Sequence, residues 1–574
     1  ANAHSFVQNV YNSDGRVTEQ RDAANNLTSF FYDVANQRTT VTDPLGHATI
    51  YQYDTGLRLL SFFNDTATTE IYTYDADNNR TSLTDRNGNT TSYTYDGYGN
   101  MLTITDALGY IQTFTYDSRS NLLTATDANE HTSTYTYDIH SNRLTATNAL
   151  SQTTTYTYYT DTSRLGKLAT VTDPRGAVTT FDYNAQGDLI RVTDALAGSV
   201  TATYDLGGRQ LTSTDVRGNT RTYTYDAANR LLTESDPLGG GTEFTYDPVG
   251  NLVRVTAPLG RITTHTYNVK DQLVSTVDPG GYTTVYTYDA VGNQTSVRDG
   301  NLHTTSFTYD AANRLTREER NGASAYDMAY TYDALGNRLV KAASGARTTS
   351  TYDLASQLRT SQDSSGVTSY TYDLGGNLTL VQEPSGERTT RVWDDENRQT
   401  SVLSPGGAIT TCTYRFDGLR ASKEDSAGTT KHLWDFHNYL AETDENDELQ
   451  AVYTNEPQPY GNLISQYRRG PTVWVPSYYH YDALGSTRAL TDESGAVTDT
   501  YLQDAWGNQI SVSGSTANPF RWVGQVGYYF DDLLATFYIR ARVYDPTTGR
   551  WLSQDPLFYP AARQLALPGA PDPA

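Results

Sequence analysis

The side chains best equipped for chemistry in this 574-residue chain are its aspartates, which return at regular intervals beside aromatic residues. Asp96, Asp117, Asp226 and Asp310 each follow a tyrosine, and paired carboxylates are the working parts of hydrolases that need an acid and a base. One carboxylate per interval, however, leaves no privileged pair. Each lies in a run rich in Asp, Gly and Asn, where a short acidic side chain accepts hydrogen bonds from backbone amides, so turn formation accounts for it. Asp54-Thr55-Gly56 reproduces the aspartic-protease triplet, yet Asp54 occupies the same recurring turn position. The nine histidines include no H-E-x-x-H spacing. His47 and His131 share a turn position, and His265 falls in a strand. His432 and His437, five apart in KHLWDFHNYL, are expected on opposite strand faces, unsuited to share a metal. Cys412 alternates with strand residues in TTCTYRFD and reads as buried filling. A lone cysteine also excludes a disulfide framework and zinc sites built on several thiolates. Calcium could find hard oxygen ligands at the turns, but no twelve-residue EF-hand loop is present. With no nucleophile elbow, phosphate-binding glycine loop or dinucleotide fingerprint either, no cofactor and no metal is expected.

The elements that carry these residues are written in the composition. Apolar residues are 37% of the chain, below the usual range, while Tyr alone supplies 46 residues and Thr is abundant. Tyr and Thr suit a pleated, half-buried surface, and the scarcity of aliphatics argues for a thin wall rather than a thick core. The formal charge of −24 and pI near 4.7 oppose binding to nucleic acid or to anionic membranes. No apolar run approaches the length of a membrane-spanning helix, and the start, Ala1-Asn2-Ala3, shows no signal-peptide pattern. The basic residues are nearly all Arg; Arg80, Arg143, Arg230 and Arg314 are expected at one repeat position, paired with carboxylates.

Internal repetition organises all of this. An aromatic recurs every 21 residues at Tyr11, Tyr32, Tyr53, Tyr74, Tyr95, Tyr116, Tyr137 and Tyr158. After a four-residue insertion the register resumes from Tyr183 to Tyr309, then loosens at Tyr332, Tyr352, Tyr372 and Trp393. In TSYTYDGYGNMLTITD, from Thr91 to Asp106, the alternation Tyr93–Thr94–Tyr95 places both rings on one face of a strand. Asp96 to Asn100 reads as a turn and Met101 to Thr105 as the return strand. A second turn follows, clearest as DPLG at Asp43–Gly46 and Asp236–Gly239. The expected fold is all-β: about twenty hairpins, some forty strands, in an array too long to stay flat, which must coil, close or stack; the shortage of aliphatics best suits a wide spiral sheet around a hollow, with a solid solenoid as the alternative.

The units YTYDAANRLL at Tyr223–Leu232, FTYDAANRL at Phe307–Leu315 and YTYDALGNRL at Tyr330–Leu339 resemble the YD-repeat, or Rhs, family, and the resemblance runs from about Tyr11 to Tyr559. YHYDALGSTRALTDESGAV at Tyr479–Val497, NPFRWVGQ at Asn518–Gln525 and IRARVYDPTTGRWLSQDPL at Ile539–Leu557 look like that family's core segment. The resemblance implies a hollow β-cocoon whose core closes one end, with a C-terminal toxic segment enclosed and released by self-cleavage. It also implies an aspartyl-type self-cleavage site: Arg542 and Asp555 match the arginine and the first aspartate by motif. The partner aspartate belongs to a second DP-x-G motif that is not found; Asp572 precedes a proline but lacks the glycine. The chain is otherwise expected not to be an enzyme.

Four segments are expected: a regular array over 1–394, degenerate repeats with longer loops over 395–477, the core-like segment over 478–559, and a Pro/Ala-rich tail over 560–574. Two functions compete. One is the encapsulating shell of a toxin system for competition between bacteria, partnered by a C-terminal toxin or cargo and by delivery-machinery proteins. The other is an extracellular structural or adhesive protein that binds cell-surface glycans or self-assembles. Both place the chain outside the cell, secreted or at its surface.

Overall fold

A computed structural model of the chain describes residues 7–555, apart from 65–68, 216–217, 236–239, 323, 344, 436, 456–459 and 483. The expected DPLG turn at 236–239, Asp572 and the tail over 560–574 lie outside the described residues. Forty-eight strands form one sheet, more than the forty expected, and each is antiparallel to its sequence neighbours. Four further strands, from Tyr529–Asp531 to Arg550–Trp551, make a small separate sheet. The large sheet crosses residues 394 and 478 without a break, and the chain leaves it after Ser513.

Each hairpin follows from its turn chemistry. After the strand Thr90–Tyr95, Asp96 Oδ1 accepts hydrogen bonds from the amides of Tyr98 and Asn100, both at 2.9 Å. Asp96 Oδ2 accepts from Asn100 Nδ2 at 2.8 Å, and Gly99 takes the positive φ, +83°, that ends the turn. The second turn repeats the device: Asp106 Oδ1 accepts from the amides of Leu108 and Tyr110. One carboxylate therefore closes each of the two turn types.

A second contact ties many hairpins to the one before. The hydroxyl of the repeat tyrosine donates to a backbone carbonyl 15 residues earlier: Tyr95 to Arg80, Tyr158 to Arg143, Tyr204 to Leu189, Tyr309 to Gln294. Where the register substitutes Trp393, its Nε1 donates to the equivalent carbonyl, Leu378, at 2.9 Å. The latch needs an aromatic with a donor at its tip, which is why Tyr and Trp serve here. On the opposite face, threonine hydroxyls bond across strands, as in Thr94–Thr103 at 2.7 Å and Thr136–Thr145 at 2.6 Å.

The sheet winds into a spiral whose pitch can be counted. Asn87, between the eighth and ninth strands, donates to Asp333, between the thirty-first and thirty-second. Ala149 meets Glu396, Asn129 meets Gly375 and Asp22 meets Lys270, each across the same twenty-three strands. At a strand spacing of about 4.8 Å, that makes a loop about 110 Å round and about 35 Å across. Towards the C-terminus the coil tightens: Glu318 in the thirtieth strand contacts Ala505, only seventeen strands on. The chain exposes 29685 Å², against about 20,000 Å² for a compact monomer of its mass, as a wall wetted on two sides requires.

The residues after Ser513 fold back as a module touching the wall from the thirty-second strand to the forty-eighth. Arg338 Nη2 donates to the carbonyl of Thr547, Leu378 N to Leu552, Gln466 Nε2 to Ala517, and Tyr544 Oη to Trp506. One small module can reach seventeen strands only if they curve around it, so the face it touches is concave. That face carries the tyrosines: Tyr370, Tyr453 and Tyr479 share a buried cluster with Phe520, Tyr529 and Tyr538 of the module.

Two outcomes follow. Tyr309→Phe deletes one latch and is expected to cost about 1 kcal/mol, with Tyr309→Trp retaining part of it; urea denaturation midpoints measure both, and a phenylalanine variant as stable as the parent refutes the latch. The turn carboxylates of Asp75, Asp96 and Asp117 are held below their ordinary range, first by the carboxamide of the Asn four residues on and then by backbone amides. A depressed acid stabilises the fold above its unfolded value, about 4, and that contribution is lost as pH falls below it. The midpoint of the repeat wall itself should hold from pH 7 to 5 and drop below pH 4; an unchanged midpoint at pH 3 refutes this.

Candidate functional site

The dry part of the molecule is the seat where the module meets the concave wall. The return strand Arg420–Asp425 points Arg420 inward, and the side chain is fully buried. Its Nη1 lies 2.7 Å from Asp531 Oδ2, and Lys423 Nζ lies 3.3 Å from Asp531 Oδ1. The Arg420 amide donates to Tyr538 Oη at 2.7 Å, and its guanidinium lies 4.3 Å from the centre of the Tyr538 ring. Burial alone would draw the Arg420 guanidinium down, but the Asp531 carboxylate outweighs it and holds the group well above its ordinary value. A second buried ion pair lies further along: Arg468 Nη1 is 3.2 Å from Glu442 Oε2, and its Nη2 donates to Tyr453 Oη at 2.6 Å.

Arg542 and Asp555, proposed from motif, do meet. Arg542 Nη2 lies 3.0 Å from Asp555 Oδ2, and its guanidinium covers the Trp551 ring at 3.9 Å. Burial lowers the Arg542 guanidinium, and Asp555 partly restores it. Arg542 also lines a small pocket with Arg398 and Arg540 at the junction of module and wall. This is one carboxylate and one arginine. The candidate second aspartate, Asp572, lies outside the described residues.

The remaining sequence candidates fall where turn and wall chemistry put them. Asp54 Oδ1 accepts from the amides of Gly56 and Arg58, as a turn former does. Asp226 and Asp310 close their turns in the same way, and Arg230 and Arg314 pair with them at 2.7 and 2.8 Å. Arg80 and Arg143 do not share that position: they sit one residue later, where side chains point to the concave face, and lie over the rings of Tyr93 and Tyr156. The expectation of a single arginine position therefore fails: Arg80 and Arg143 open the return strand, while Arg230 and Arg314 end the turn before it. His432 and His437 are likewise not on opposite faces of one strand; His432 is in the strand Gly428–Asp435, while His437 lies in the turn after it. Cys412 is buried. Among the described residues no cluster of three metal-ligating side chains occurs.

The Arg420–Asp531–Lys423 and Arg468–Glu442 pairs were not legible in the sequence. Arg420 occupies the first return-strand position that other repeats fill with Leu, Gln or Arg, and Asp531 sits in YYFDD, which reads as one more tyrosine-aspartate unit. Nothing local separates them from their counterparts.

The family described as RHS Repeat matches at residues 11–48, 74–111, 163–199, 183–220, 204–240, 246–283, 267–304 and 288–325. The chain carries multiple RHS repeats over this span. It is 31% identical over 224 residues to the tRNA3(Ser)-specific nuclease WapA of Bacillus spizizenii, a match covering 38% of the chain and 9% of that protein. It is 26% identical over 219 residues to the double-stranded DNA deaminase toxin A of Burkholderia cenocepacia, covering 32% of the chain and 15% of the toxin. The chain thus aligns with only a small part of these relatives' length. Among solved structures it is similar to the TcdB2-TccC3-Cdc42 crystal structure, at 16% identity and a TM-score of 0.49, over 96% of this chain and 33% of that one. No helix among the described residues is long and apolar enough to cross a membrane.

Asp531→Ala leaves Arg420 and Lys423 without their shared counter-charge in a dry seat. The expected loss is about 3–5 kcal/mol, read as release of residues 514–555 to limited proteolysis while the repeat wall stays resistant. A module as resistant as the parent's would show that the pair does not hold it.

Proposed function

We propose that this chain is the encapsulating shell of an Rhs toxin system, enclosing a toxic polypeptide segment outside or on its way out of the producing cell, for use against competing bacteria. The observation that carries the reading is the concave, tyrosine-bearing coil with a folded module filling its narrowed end. A coil about 35 Å across leaves room within the wall for a polypeptide. Relatives named as a tRNA nuclease and a DNA deaminase toxin support a nuclease-like or nucleotide-modifying cargo in such systems. The partners are that cargo and the machinery that delivers it. The glycan-binding alternative draws no support from the repeat tyrosines, which line the concave side.

Arg542 and Asp555 fit half of a self-cleavage site in this reading. The carboxylate would take a proton from water, or return one to the leaving amine, once a second acid stood beside it. Arg542, 3.0 Å away, would orient the Asp555 carboxylate for the first of these roles.

The test uses the natural full-length gene product. In the native particle, any segment following residue 555 should resist protease, and it should be digested once the particle is opened by denaturant. Asp555→Asn should leave that segment covalently attached, seen as a single intact mass. A following segment digested equally in the native and the denatured particle overturns the shell reading; cleavage that persists in Asp555→Asn overturns only the catalytic assignment.

A further inference from the structure

Two histidines that neither the turns nor the latches use lie beneath the module. His432 is 4% exposed and boxed by rings: Tyr529 of the module at 5.1 Å, Tyr439 at 5.5 Å and Trp434 at 6.5 Å. Neither of its ring nitrogens has a hydrogen-bond partner. The charges around it are already matched. Asp531 is held by Arg420 and Lys423, and Glu442, the cross-strand register partner of His432, is paired through Oε2 with Arg468. His437 lies at the rim of the same seat, stacked on Tyr460 at 4.6 Å, with its Nδ1 unpartnered. Its backbone carbonyl accepts from Nε of Arg540, a module residue, at 2.7 Å. Arg540 and Arg415 face its ring, with Asp417 as the one opposing acid. The buried tyrosines nearby, Tyr439 and Tyr529, are held neutral, so they supply no counter-charge.

We propose that His432 and His437 make the seat of the module acid-sensitive, so that mild acid loosens the module from the wall and opens that end of the coil. A proton on either ring puts a new cation beside arginines or a lysine, in a buried place where Asp531 and Glu442 already hold counter-cations and Glu442 Oε1 is the carboxylate oxygen left without a hydrogen bond. The inference stands on the wall–module contact and does not require a cargo.

Burial first, and then the neighbouring cations, hold His432 well below its ordinary value, and His437 is lowered by the same causes. A histidine depressed in the seated form binds fewer protons there than in the loosened form. Its contribution is therefore complete above its unfolded value, about 6.5, and shrinks as pH falls below that. At pH 5.5 one strongly depressed histidine shifts the loosening equilibrium about tenfold relative to pH 7.5. The window is separate from that of the turn aspartates, which act below about pH 4.

Hydrogen–deuterium exchange on the full chain at pH 7.5 and 5.5, corrected for intrinsic rates, tests this. Peptides within 527–545 should lose about tenfold in protection at pH 5.5, while wall peptides over 90–116 keep theirs. His432→Phe keeps a ring in the box and should remove most of the response; His432→Phe with His437→Phe should abolish it. Equal protection of the wild-type module at both pH values, or a double variant that responds like wild type, overturns the proposal. Should the variants fail to fold, imidazole C2-hydrogen exchange in the wild type decides: half-titration of His432 below pH 5.5 supports the proposal, and half-titration near 6.5 overturns it.

Discussion

Antiparallel hairpins in series put two different rows of turns along the two edges of a sheet, tyrosine-aspartate turns on one and the second turns on the other. When such a ribbon coils on itself, one row must rest on the other, which is possible only if each revolution holds an odd number of strands. Twenty-three meets that condition, and the contacts of Asn87, Asn129 and Ala149 with the next coil are the places where the two rows touch. These contacts are few and polar. A stacked coil of this kind is held mainly by the continuity of its ladder, with each seam contact contributing little.

Continuity is what the repeat residues supply. The sheet has no second layer for most of its length, so burial is partial almost everywhere before the thirtieth strand, and no thick core accumulates. In its place most hairpins carry an Asp or Asn side-chain oxygen that closes the turn, and many add a Thr or Ser hydroxyl pair across the outer face and a Tyr or Trp donor that reaches back to the preceding hairpin. Such contacts are nearest-neighbour terms, individually small, and they add along the chain as in other repeat architectures. Arginines four residues after the turn aspartate extend the pattern, since Arg230 pairs with Asp226, bonds the carbonyl of Asp247 and covers the Tyr246 ring.

Burial becomes complete only where the module returns, and there the chemistry changes character. Buried ions appear, matched in small networks around Asp531 and Glu442, beside neutral histidines. Buried pairs of this sort stabilise little over an apolar filling, but they are costly to break one partner at a time. The module is thereby held in one place and one orientation on an otherwise uniform wall, and its attachment becomes responsive to charge.

Much of this was legible in the residues alone. The 21-residue interval, the Tyr–Thr–Tyr alternation and the Asp-rich turns determined the hairpins, the two turn types and the need to coil, because each rests on contacts within one or two repeats. Which face is concave, how many strands make a revolution, and where the module sits were decided by contacts 100 to 250 residues apart, such as Arg420–Asp531 and Asn87–Asp333. The arginines illustrate the division. Arg230 and Arg80 look alike in sequence, yet with one residue of offset the first pairs with its turn carboxylate as well as covering the Tyr246 ring, while the second lies over the rings of Tyr72 and Tyr93. Local pattern sets a side chain's face and partner within its hairpin; curvature is the sum of many small strand twists, and no single repeat contains it.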